Sequence, residues 1–185
     1  MLRRGAGTLI LTIPNLISTI RLVGVGVFAW LLFGRDEPAA AGWLLLVIGW
    51  TDWVDGYLAR RLDQVSEVGK VLDPLADRLA IATAVIGGMV VGAIPLVFGI
   101  GIAVREVVVG AGALIFAIQR KRIDVRWLGK LATFLLYGAI PAFFVAQGTW
   151  LPGFFLGLAW SFGMVGLILY WWVAVQYVGD MRRAM

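Results

Sequence analysis

With 185 residues, 61% of them hydrophobic, and a mean hydropathy of +0.92, the chain carries more apolar surface than a soluble core could take in, so the composition predicts a single integral membrane domain over residues 1–185. The absence of Cys and His excludes disulfide and thiol chemistry, removes the usual zinc ligands and the imidazole base, and leaves carboxylates as the natural base, with Lys and Tyr behind them. The net charge of +5 flanks apolar spans, which points to anionic lipid headgroups and to topology rather than to nucleic acid.

In chain order, Met1 to Gly7 carries Arg3 and Arg4 before an apolar run that begins at Thr8. Pro14, Asn15 and Arg21 interrupt that run and no small-residue cleavage site follows, so it is read not as a signal peptide but as a short N-terminal interfacial segment leading into a first transmembrane helix. That helix ends near Phe33, and Pro14 suits its first turn. Gly34 to Pro38 is a charged turn. A second span runs from about Ala39 to Arg61, a polar link covers Leu62 to Val68, and a third span runs from Gly69 to Val91 with Pro74 in its first turn or so. Gly92 to Pro95 is a tight hairpin before a fourth span, Pro95 to Ile118, which contains Arg105 and Glu106. A basic connection (Arg120, Lys121, Arg122, Arg126) precedes a fifth span from Trp127 with Lys130 near its start. Gln147 to Gly153 turns the chain into a sixth span, Phe154 to Tyr177, followed by Asp180, Arg182 and Arg183. The expected fold is therefore all-α, with six transmembrane helices.

Six spans put both termini on one side, and most Lys and Arg outside the spans fall there, Arg35 alone lying opposite. The positive-inside rule predicts cytoplasmic termini in a multi-pass cell (inner) membrane protein. The nine Trp read as interfacial anchors. Gly87, Gly88, Gly92, Gly99, Gly101, Gly110 and Gly112 suit close packing of the third and fourth spans, within one subunit or between two.

The chemistry concentrates in Thr51 to Arg78. Asp52 and Asp55 stand three apart, with Gly56, Ala59 and Arg60 following at helical intervals; Asp73 and Asp77 stand four apart, with Gly69 one turn earlier on the same face. Two helices joined by a short link can bring four carboxylates to one point, on the cytoplasmic side. At roughly 5 Å and an effective dielectric of about 20, each pair would repel by about 3 kcal/mol. Such a cluster requires protons or cations, and oxygen ligands without His or Cys favour magnesium, manganese or calcium. Two divalent ions held there could neutralise a diphosphate and stabilise a leaving phosphate.

Read from Asp52, the pattern is Asp, two residues, Asp55 and Gly56, two residues, Ala59 and Arg60, eight residues, Gly69, three residues, Asp73, three residues, Asp77. It resembles the complete signature of the CDP-alcohol phosphatidyltransferase family, and the runs LDPLADRL and IPNLISTIRL resemble its phosphatidylglycerophosphate synthase branch. The resemblance implies a transferase of phospholipid biosynthesis with a pair of Mg2+ or Mn2+ ions among Asp52, Asp55, Asp73 and Asp77, and with Asp77 as the catalytic base. It implies that Gly56, Ala59, Arg60 and Gly69 receive the cytidine diphosphate of CDP-diacylglycerol, that an alcohol attacks the β-phosphorus with release of CMP, and that the protein is a homodimer among membrane lipids.

Arg105, Lys130, Arg21 and Arg78 are further cations in the spans. They suggest an acceptor that itself carries phosphate. Glycerol 3-phosphate is put first, phosphatidylglycerol as in a cardiolipin synthase second, and inositol phosphate third. The competing readings are that Arg78 pairs with a carboxylate, that Arg105 and Glu106 neutralise each other or Asp residues without touching substrate, and that Lys130 snorkels to headgroups. Asp63 and Glu67 read as solvated. Intramembrane carboxylates also mark cation transporters, but the far halves of these spans lack the polar path that transport requires, and the intact signature argues against an inactive scaffold.

Overall fold

Apolar runs broken by Gly and Pro become helices in the computed structural model, which describes residues 13–62, 69–118 and 127–184, with side chains described at 19–50, 76–108, 110–111, 127–176 and 179. The helices are α1 (Ile13–Ala29), α2 (Pro38–Leu62), α3 (Gly69–Val90), α4 (Leu96–Ile118), α5 (Trp127–Val145) and α6 (Pro152–Ala184), with a π-helical segment, Trp30–Gly34, closing α1. Among the described residues there is no strand. The expected interfacial segment, polar link and basic connection lie outside the described residues.

Three turns gather at one end of the bundle. After α1 the helix widens, with the Arg35 amide donating to the Trp30 carbonyl at 3.1 Å and the Glu37 amide to Leu31 at 3.0 Å. Asp36 then takes the left-handed conformation, φ 53°, which Asp tolerates better than most residues. The turn is closed over by Arg35, which pairs with Glu37 at 3.1 Å and lies 5.4 Å from the Trp30 ring centroid. Between α3 and α4 the turn depends on Gly92 at φ 75°, and the Ile94 amide returns to the Gly88 carbonyl at 3.0 Å. The α5–α6 turn lies against the start of α2, where a Cβ on Gly148 would stand 2.9 Å from that of Ala39.

Helix α5 is the axis of the bundle. Half of its apolar span is buried, against 22% for α6, and every residue from Ala139 to Val145 is enclosed. Phe144 meets Phe28 of α1 edge-on at 5.3 Å, while Phe143 meets Phe98 of α4 at 5.3 Å and Trp160 of α6 at 5.6 Å. The approach of α2 is set by Gly42, where a Cβ would stand 2.7 Å from Phe144 Cβ, 2.8 Å from the Val145 nitrogen and 2.9 Å from the Pro141 oxygen. Any side chain there would force the two helices apart, because two of those atoms are backbone. On the other side of α5, Gly163 and Gly166 of α6 pack against Phe98, Ala139, Leu135 and Leu136.

Expected and observed helix limits agree within a few residues, with two differences. Helix α6 continues to Ala184 because nothing after Tyr177 breaks it; Gly179 is tolerated inside a helix at a cost of about 1 kcal/mol. Because α3 begins at Gly69, Pro74 stands beyond the first turn, where it removes an intrahelical donor. Among the described residues, two helical stretches are long and apolar enough to cross a membrane, Trp127–Val145 and Pro152–Gln176; Thr19–Gly34 and Pro38–Trp50 are shorter apolar helices. The glycines of α3 and α4 pack within one subunit: Gly87 on Leu32, Gly88 on Ile94 and Phe144, Gly99 on Met89, and Gly101 on Leu167.

Candidate active site

The half of the bundle away from the three turns carries the signature aspartates, with Arg21, Arg78 and Lys130 on the same helical stretches. Helix α2 is continuous through Asp52, Asp55, Gly56, Ala59 and Arg60, and α3 through Gly69, Asp73 and Asp77. Each aspartate pair therefore shares a helix face as its spacing requires. The side chains of Asp52, Asp55, Gly56, Ala59, Arg60, Gly69 and Asp73 lie outside the described residues, and so does any meeting of the two pairs.

Asp77 is described, and its partner comes from α1. Arg21 Nη1 donates to Asp77 Oδ1 at 2.6 Å. The Arg21 side chain is 7% exposed and that of Asp77 37%, so the pair is rooted in the bundle while the carboxyl remains reachable. The two residues stand at the same height on neighbouring helices, as their contact requires. A bond this short between ions is among the stronger hydrogen bonds available to a protein. It also offsets the cost of placing a guanidinium among apolar side chains. Sequence spacing had grouped Arg21 with cations that could meet an acceptor; a partner 56 residues away has no local signature.

Arg78 follows Asp77 but turns elsewhere. It is exposed, and its Nη1 lies 3.2 Å from where a Cβ on Gly110 of α4 would stand. No ion pair joins it to any described carboxylate, so the anticipated pairing is not found among the described residues. Arg105 is buried, 3.4 Å from the Tyr170 ring centroid of α6, and its Nη1 lies 3.3 Å from Glu106 Oε1. Neutralisation by Glu106 is therefore real, with a cation–π contact added. One turn away, Trp171 Nε1 donates to the Gly101 carbonyl at 3.2 Å, fastening α6 to α4 beside Arg105. Lys130 is exposed on the first turn of α5. Nothing in the sequence singles out Tyr170 as the seat of Arg105.

Asp77 is the described member of a donor set made only of carboxylate oxygens, and its partial exposure leaves it accessible. Such a set suits a hard divalent cation better than zinc. Among the described residues, no three acidic side chains form a metal cluster.

Residues 11–176 match the family model of the CDP-alcohol phosphatidyltransferases. The chain is 38% identical to a cardiolipin synthase (CMP-forming) of Streptomyces coelicolor over 185 residues, covering 94% of this chain and 84% of the relative. It is 32% identical to a putative cardiolipin synthase of Mycobacterium tuberculosis over 182 residues, covering 95% and 85%. A CDP-diacylglycerol–glycerol-3-phosphate 3-phosphatidyltransferase of Bacillus subtilis is 35% identical over 144 residues, covering 70% of this chain and 75% of the relative.

Proposed function

The chain belongs to the CDP-alcohol phosphatidyltransferase family, and from that premise we propose that it makes cardiolipin, by transferring a phosphatidyl group from CDP-diacylglycerol to phosphatidylglycerol. The observation that carries this choice of acceptor is the reach of the relatives: those named cardiolipin synthase align over 94–95% of the chain. Glycerol 3-phosphate, placed first on the sequence motifs, is the second reading, favoured by the relative that covers 70% of the chain.

A hydroxyl oxygen of the acceptor attacks the β-phosphorus of CDP-diacylglycerol. The new P–O bond forms as the bond to the bridging oxygen breaks, and CMP leaves with that oxygen. Asp77 takes the hydroxyl proton. Mg2+ or Mn2+, held by Asp52, Asp55, Asp73 and Asp77, would supply charge neutralisation at the diphosphate. Gly56, Ala59 and Gly69 give the nucleotide a stripe without side-chain bulk, and Arg60 reaches its phosphates. Arg78 and Lys130, both exposed, would meet an anionic acceptor. Arg105, paired with Glu106 and seated on Tyr170, would hold α4 to α6 rather than meet the acceptor.

In this reading all six helices cross the cell membrane, with both termini and the aspartates on the cytoplasmic side, and the protein works as a homodimer among lipids whose chains never leave the bilayer. The test is CMP release by the purified protein from CDP-diacylglycerol and Mg2+ or Mn2+, with phosphatidylglycerol, glycerol 3-phosphate and inositol phosphate offered separately. Cardiolipin with phosphatidylglycerol alone, lost on chelation and restored by either ion, is expected. Turnover only with glycerol 3-phosphate would overturn the acceptor. Turnover with none, alongside metal uptake into lipid-donor-free proteoliposomes, would favour transport.

A further inference from the structure

We propose that Arg21 is a positioning residue, which holds the Asp77 carboxylate in the orientation needed to accept the hydroxyl proton, rather than a ligand of the acceptor phosphate. The inference rests on the reading of Asp77 as the base. Its ground is the 2.6 Å contact between Arg21 Nη1 and Asp77 Oδ1, made from a neighbouring helix by a side chain that is almost wholly buried.

An aspartate on a helix turns about two side-chain bonds, and its carboxylate can face several directions. A guanidinium anchored in the bundle removes that freedom, because its donors lie in a rigid plane. The anchorage is built from both sides. Helix α1 packs along α3, and the contact sets Arg21 and Asp77 level with one another. Further along the same pair of helices, Leu32 fits against Gly87. That contact fixes the sliding of α1 on α3, and so fixes the height at which the guanidinium meets the carboxylate. Arg78, although adjacent in sequence, cannot serve in this way, because it lies against α4 at Gly110 and is exposed. The two arginines thus divide the work, one holding the base and one left at the surface for an anion.

The test compares Arg21→Gln, Arg21→Lys, Asp77→Asn and the Arg21→Gln/Asp77→Asn double variant. In CMP release, Arg21→Gln is expected to lower kcat by about 100-fold, the scale of a misplaced general base, while the acceptor KM stays within about threefold. Arg21→Lys should recover about tenfold of that loss, keeping the charge without the fork. Independently of turnover, thermal unfolding of the metal-free protein in detergent should fall by about 5 °C for Arg21→Gln in the native background and by less than half as much in the Asp77→Asn background.

An acceptor KM raised tenfold with kcat retained would overturn the proposal in favour of phosphate binding, and unchanged kinetics would overturn it outright. So would equal thermal losses in the two backgrounds. Should Arg21→Gln not fold alone, the double variant, which strands neither charge, is expected to fold; its failure would also count against the pair. Full activity in Asp77→Asn would instead remove the base itself and with it the reading on which this inference rests.

Discussion

The two ends of this bundle are built on opposite principles. At the turn end, α2 and α5 close on each other through a glycine, rings from four helices interlock, and the chain reverses three times within a few residues each. Towards the aspartate end, α1 and α3 are joined by the Arg21–Asp77 ion pair, and midway along α4 Arg105 meets Glu106 and Tyr170. The lesson is a division of labour along the helix axis. Close packing at one end sets the relative heights of the helices, and those heights bring charges together at the other.

If that division holds, substitutions at the two ends should separate activity from stability. The largest expected effect is at the aspartate end: Asp77→Asn should reduce CMP release by about a thousandfold, within the range of general-base loss, while the protein still elutes as a folded species. Retained turnover would mean that the base lies elsewhere. Next comes Phe144→Ala at the turn end. Emptying the site between Phe28 and the turn should cost about 3–5 kcal/mol, read as a lowered unfolding temperature in detergent, with activity per folded molecule preserved. A loss of activity without destabilisation would contradict the division.

A smaller effect is expected for Gly42→Ala, whose new methyl would stand within 2.9 Å of three α5 atoms. Overpacking of this kind costs about 1–3 kcal/mol. It should also lower turnover modestly, because pushing α2 from α5 shifts the helix that carries Asp52 and Asp55. The smallest is Asp36→Gly. Relief of the left-handed strain is offset by greater freedom of the unfolded chain, so stability should change by no more than about 0.5 kcal/mol.

Much of this layout was readable from the chain because Gly and Pro punctuate it. Gly34 with Pro38, Gly92 with Pro95, and Gly148 with Pro152 mark the three turns; among the described glycines Gly92 takes the left-handed φ, while Pro38 and Pro152 open the helices that follow. The apolar span of α6 ends within a residue of the expected Tyr177, at Gln176, while the helix itself runs on to Ala184 because no residue there forbids it. The π-helical widening at Trp30–Gly34 depends on a shift of one hydrogen-bond partner, which side-chain identity does not encode. At the site, the eight-position signature located the aspartates within helices that do carry them continuously. The pairing of Arg21 with Asp77, the seat of Arg105 on Tyr170 and the lean of Arg78 towards Gly110 are relations between distant segments, set by packing elsewhere. The glycines of α3 and α4 promised close contacts without naming the partner; Gly87, Gly88, Gly99 and Gly101 find theirs on Leu32, Ile94 and Phe144, Met89 and Leu167 of the same chain.

The fit of α2 against α5 also bears on how the protein is made. Gly42 meets Phe144 across a separation of roughly 100 residues, a long-range contact of the kind that slows closure of a fold. A ribosome that has released α1 through α4 has therefore delivered every group of the signature, yet the notch on α2 has nothing to receive. The nascent chain holds its reactive carboxylates in an unfinished bundle until α5 arrives, so the step that completes the fold comes late in synthesis.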